Sequence, residues 1–132
     1  MNNPINRIEQ RLIHWSDSPI TRVPIRNCKI HRRQIVGCDP ETGYGRPLRP
    51  GDMVEGVAIH HVDALGETGF VDVIWRGEVE LAFLGRLQTI DRRKIVYAED
   101  SATVTLKDTG SPMGILVSVS GENSGFGTVR LL

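Results

Sequence analysis

A five-residue stretch of this 132-residue chain occurs twice in similar form, sixty positions apart. Residues 32–36, with the sequence RRQIV, return at 92–96 as RRKIV. Further matches at an offset of 58 follow in the same order: Gly56 with Gly114, Gly69 with Gly127, Val71 with Val129 and Val73 with Leu131. A solenoid needs about three or more repeats. Two copies of about sixty residues therefore predict an internal duplication, with two related β-rich halves that close on one core.

Size and charge limit what such a chain can do. At 132 residues and 14.7 kDa it fits one domain, which buries roughly two-thirds of its unfolded surface. Its 16 Lys and Arg residues equal its 16 Asp and Glu residues, so no net charge attracts nucleic acid or an anionic membrane. The apolar runs are too short to span a bilayer, and residues 1–7 do not resemble a secretion signal. We therefore expect synthesis in a cytoplasm, with neither nucleic acid nor membrane as a direct partner.

The N-terminal residues have the spacing of a helix. Ile5, Ile8, Leu12 and Trp15 follow one another at intervals of three, four and three, which places them on one helical face. The segment 16–19 (SDSP) would end such a helix. We predict an N-terminal arm over residues 1–24, either a short helix or an extended segment. Because about eleven residues are marginal as an isolated helix, the arm must dock, on its own barrel or on a neighbouring subunit.

The rest of the chain has the alternation and turn spacing of β-strands. A small β-barrel or sandwich-like fold is typical of many short strands at close intervals. We predict an all-β fold with internal duplication, in which residues 25–132 form a single β-barrel-like domain preceded by the arm. Leu131 and Leu132 then belong to the core, and their removal is expected to abolish soluble protein. The strands are predicted at 53–62, 70–76, 78–84, 94–98, 102–106, 113–119 and 128–132.

Residues that bear catalytic or metal-binding chemistry are few. His60, His61 and Asp63 have ligand side chains, but adjacent strand residues point to opposite faces, so the two histidines cannot share one ion without a bulge. Cys28 and Cys38 are predicted to be two unpaired thiols, with a hairpin disulfide or a metal site as alternatives. No nucleophile motif is present. We therefore predict a protein that is not an enzyme and needs no metal or other cofactor.

The duplicated arginines form the other candidate site. Arg32, Arg33, Arg92 and Arg93 lie at equivalent positions of the two halves, and related positions can meet across a pseudo-twofold axis. Together they would form a basic contact patch for an acidic surface of another subunit. The alternative is a solvated strand edge, where arginines oppose edge-to-edge aggregation.

From residue 51 onward the order of short motifs is informative even though each motif is common. The motifs are GDMVEGVA (51–58), DALGETGFVDV (63–73), GEVEL (77–81), IVYA (95–98), ATVT (102–105), MGIL (113–116) and GTVRL (127–131). In order and spacing this region resembles the small capsid cement, or decoration, proteins of tailed bacteriophages. The chain departs from that family at 91–94 (DRRK), where a Gly-Asp pair is usual, and in its longer, more polar residues 1–50.

The resemblance implies a structural virion protein on the capsid surface. It implies a homotrimer at threefold positions that clamps neighbouring major capsid protein subunits, and it brings no catalytic residues. In that role the arm residues Ile5, Ile8, Leu12 and Trp15 would bind the capsid, with Trp15 the foremost candidate for a hot spot. Three alternatives remain open: a stand-alone β-barrel module that binds nucleic acid or a small ligand, another head or tail structural protein, and a small metal-dependent enzyme.

Overall fold

Two closed five-stranded barrels follow one another along the chain in a computed structural model, which describes residues 18–132. The prediction of an all-β fold is confirmed, and the described part contains one single-turn 3₁₀ helix, Thr89–Asp91. In the same part no helix is long and apolar enough to cross a membrane. The strands are β1 (Ile20–Arg26), β2 (Lys29–Ile30), β3 (Ile35–Cys38), β4 (Gly45–Pro47), β5 (Met53–Ala58), β6 (Val62–Asp63), β7 (Thr68–Ile74), β8 (Gly77–Leu87), β9 (Ile95–Ala98), β10 (Val104–Thr105), β11 (Ser111–Val119) and β12 (Ser124–Leu131).

The two barrels have the same topology, as the internal duplication requires. The strand order around the first barrel is β1-β4-β3-β5-β7, and around the second it is β8-β10-β9-β11-β12. In each barrel the pair formed by its first and third strands, β1 with β4 and β8 with β10, is parallel, and every other pair is antiparallel. The short strands β2 and β6 form a separate ribbon.

A repeated glycine marks the same structural feature in both barrels. Gly56 pairs with Val36 and Gly114 pairs with Val96, and each pair lies beside a β-bulge. A Cβ atom on Gly56 would lie 2.4 Å from the carbonyl oxygen of Ile74, and one on Gly114 would lie 2.2 Å from that of Arg130. Backbone therefore passes too close for any side chain, which explains why both halves carry glycine here.

The repeated Arg-Arg motif marks a turn. Arg33 and Arg93 both have a φ of 74°, in the left-handed region that non-glycine residues seldom adopt. The N–H of Arg33 donates to the carbonyl oxygen of Ala58 at 2.8 Å, and that of Arg93 donates to the carbonyl oxygen of Leu116 at 2.7 Å. Each copy of the motif therefore forms a turn, the first leading into β3 and the second into β9.

An ion pair is also duplicated, with its charges exchanged. The Arg22 Nε atom lies 3.1 Å from Asp72 Oδ1 across β1 and β7. At the matching position of β8 and β12, Arg130 Nη2 lies 3.3 Å from Glu78 Oε2. Both pairs are exposed, so each contributes little to stability. The two halves have diverged in sequence while keeping the same cross-strand contact.

The apolar interior is divided into two clusters, whereas the sequence predicted one core. The first cluster fills the first barrel, with residues such as Ile25 and Val71. The second fills the second barrel and also includes Ile35, Leu48 and Val57 from the first half. Each ring of five strands encloses its own interior, and these three side chains join the barrels.

Two boundaries differ from the sequence prediction. Val23 is buried within β1, so the first barrel starts before residue 25, where the predicted domain began. The predicted core position is confirmed for Leu131, which is 6% exposed, but is wrong for Leu132, which is 72% exposed. Leu131 pairs with Gly77 on β8 and packs in the second barrel, whereas Leu132 follows the end of β12.

Candidate interaction surfaces

The predicted arm meets the described chain beside the linker between the barrels. Ile5, Ile8, Leu12 and Trp15 lie outside the described residues, so their role stays a prediction. The chain is held at Ser18 and Pro19, because Trp75 Nε1 donates to the carbonyl oxygen of Ser18 at 3.1 Å and the Trp75 N–H donates to that of Pro19 at 3.0 Å. The arm therefore joins the protein at a fixed point.

A largely apolar groove lies next to this point. Its volume is about 620 Å³, within the usual range of ligand-sized pockets. Both barrels contribute to it, since β1 and β5 come from the first and β11 and β12 from the second. We call it the interbarrel groove, and its lining includes Ser18, Ile20, Val54, Trp75, Met113 and Leu132.

The four arginines of the predicted basic patch are all exposed and lie on equivalent turns of the two barrels. Arg32 and Arg33 line a second groove of about 580 Å³, together with Glu80 of the second barrel. Arg92 contributes to a different contact, because its Nε atom donates to the carbonyl oxygen of Val117 at 2.9 Å. One arginine pair thus faces the neighbouring barrel, while Arg92 contacts its own barrel.

The histidines of the candidate metal cluster have separate partners. His60 Nε2 lies 3.4 Å from Asp72 Oδ2, whereas His61 Nδ1 lies 3.2 Å from His31 Nδ1. Asp63 is 3.8 Å from the Lys29 ammonium group. Within residues 18–132 no three His, Cys, Asp or Glu side chains are grouped so that they could hold a metal ion.

Both cysteines are free thiols and half-buried. Burial is the main cause that raises the pKa of Cys28 and of Cys38 above the ordinary thiol value. At neutral pH each thiol is therefore protonated, which makes it a weak nucleophile and a weak metal ligand.

The long connection from β3 to β5 contains an ion-pair cluster that the sequence analysis did not find. Asp52 has a side chain only 1% exposed, and it accepts hydrogen bonds from Arg46 at 2.8 and 3.0 Å and from the Arg49 N–H at 3.1 Å. Arg46 also contacts Asp39 at 3.1 Å. The hydrogen bond from Arg46 is the main cause that holds the pKa of Asp52 below its ordinary value, against the opposing effect of burial. This cluster fixes the loop and has a structural role.

Comparison with known proteins gives a structural similarity and no sequence family. No family model matches the chain, and no curated protein matches it. Among solved structures, the crystal structure of the head fiber gp8.5 N base in bacteriophage phi29 is similar, with a TM-score of 0.56 and 12% sequence identity. The alignment covers 86% of this chain and 94% of that one, so it extends over both barrels. At this identity the similarity shows a common fold.

Proposed function

We propose that this protein is a structural component of a phage head. The observation that carries the proposal is the shared two-barrel fold with a phage head fiber base, over nearly the whole described chain. The resemblance of residues 51–132 to phage capsid decoration proteins supports the same assignment by an independent route, because it rests on the order of sequence motifs. Its proposed location is the virion.

In the finer form of the proposal, the protein binds the outside of the capsid as a homotrimer and clamps neighbouring major capsid protein subunits. The surface offers apolar contact area, with Met53, Leu84 and Ile90 more than half exposed. Three copies of the arm on one trimer would bind with avidity, since each bound arm raises the effective concentration of the next. The proposed role is non-catalytic.

The test is co-sedimentation with expanded, undecorated heads of its own phage. The wild-type protein is expected to bind saturably. Trp15→Ala is expected to weaken the apparent affinity about tenfold or more, because a buried aromatic anchor contributes on the order of 2 kcal/mol. Phe70→Ala is the matched control, since this exposed aromatic residue lies on β7, outside the arm.

The outcomes separate the two parts of the proposal. Failure of the wild-type protein to bind heads contradicts the function itself. Binding that is equal for wild type, Trp15→Ala and Phe70→Ala contradicts the role of the arm and leaves head binding in place.

A further inference from the structure

The interbarrel groove exposes apolar side chains to solvent. A bound segment or ligand is expected to shield them. Among its lining residues, Ile20 of the first barrel is 43% exposed and Leu132 at the end of the second is 72% exposed, while Met113 is buried. Concave apolar surfaces of this size usually bind something, because burial of each square ångström of apolar surface is favourable.

The chain itself leads into this groove. Ser18 lines it and is held there by the hydrogen bond from Trp75. Trp15 precedes Ser18 by three residues, and an extended chain spans at most about 3.6 Å per residue, so its Cα atom lies within about 11 Å of that of Ser18. Leu12, six residues from Ser18, lies within about 22 Å by the same measure. Both side chains can reach the groove without any change in the barrels.

The chemistry of the segment matches that of the groove. Its apolar residues Ile5, Ile8, Leu12 and Trp15 recur at helical spacing, so a helix over this segment would have one apolar face. Two charged side chains also line the groove, Glu55 and Arg22, and Arg22 is already paired with Asp72.

We propose that residues 1–17 occupy the interbarrel groove of their own chain in the free protein, with Trp15 and Leu12 packed between Ile20 and Leu132. The tether favours the same chain over a second copy, because a short linker gives an effective concentration in the millimolar range. The inference concerns the free protein, so its test needs no heads and its failure is distinct from failure to bind heads.

The experiment is ¹⁹F NMR of the full chain labelled with 5-fluorotryptophan. The chain contains two tryptophans, Trp15 and Trp75, and Trp15→Phe assigns the two resonances. In the wild-type protein the Trp15 resonance is expected to show no shift between H₂O and D₂O, as for a buried ring. The double variant Ile20→Asp, Leu132→Asp is expected to move that resonance to the position of the unfolded chain and to restore its solvent isotope shift.

The matched control is Leu65→Asp, Ile90→Asp, which changes one exposed leucine and one exposed isoleucine outside the groove. It is expected to leave the Trp15 resonance unchanged. A full solvent isotope shift for Trp15 in the wild-type protein overturns the proposal without recourse to any variant. An equal effect of both double variants also overturns it, and so does exposure of Trp15 on dilution, which would assign the groove to a second copy.

Discussion

Replacement of Asp52 by asparagine is expected to lower the free energy of unfolding by about 3 kcal/mol at neutral pH. The substitution keeps the volume of the side chain but removes the charge that faces Arg46, leaving the guanidinium group inside the loop with only Asp39 as a charged partner. Urea unfolding followed by circular dichroism measures the loss. Asp108→Asn is the control, because Asp108 is exposed and is expected to change the midpoint only slightly.

The same pair predicts a pH dependence. The pKa of Asp52 is lowered in the folded state, so its contribution is complete at pH values well above about 3.9, the ordinary value for aspartate. As the pH falls, the unfolded state takes up its proton first, and the contribution is lost as the pH passes down through the folded pKa. The difference in stability between wild type and Asp52→Asn should therefore shrink below roughly pH 4. A difference that is constant down to pH 2 would contradict this account.

Replacement of Gly114 by alanine is expected to destabilise the second barrel by about 3 kcal/mol. The new methyl group would lie 2.2 Å from the backbone oxygen of Arg130 and 2.8 Å from the Val129 Cγ1 atom, so β11 and β12 would have to separate. The same assay measures the effect. Gly125→Ala on β12 is the matched control, because nothing lies within 4 Å of its added Cβ atom. Equal midpoints for the two variants would show that the close backbone approach at Gly114 does not affect the free energy of unfolding.

The duplication could be found from sequence because both of its signals have a local backbone cause. The arginines at 33 and 93 mark a left-handed turn, and the glycines at 56 and 114 mark a close backbone approach. Such requirements act on single residues and therefore survive divergence. Each of the seven predicted strands overlaps an observed one for the same reason, since alternation and turns are local patterns, but β5 already ends at Ala58 and β10 has only two residues.

The strands between residues 20 and 50 were not predicted because little in their own sequence specifies them. β1 contains Pro24, which is unfavourable inside a strand, and β3 and β4 have only four and three residues. The pairing of β1 with β4 rests on the non-local contact of Ile25 with Gly45. These segments are strands because the barrel closes around them.

The candidate surfaces show the same limit. The walls of the interbarrel groove come from residues near 20, 54, 113 and 132, which only the fold brings together. The sequence could not show that the turns of Arg32 and Arg33 and of Arg92 and Arg93 belong to separate barrels, and one shared contact patch stays a prediction. The ion pair between Asp52 and Arg46 was not predicted, because Arg46 is identified as the partner only by the course of the chain through β4.

Electron cryomicroscopy of expanded heads incubated with saturating protein tests the proposed function most directly. Added density that fits the two barrels is expected in groups of three at the threefold positions, across the boundaries between capsid subunits. Heads that stay bare, or density that lies within single capsid subunits away from those positions, would contradict it.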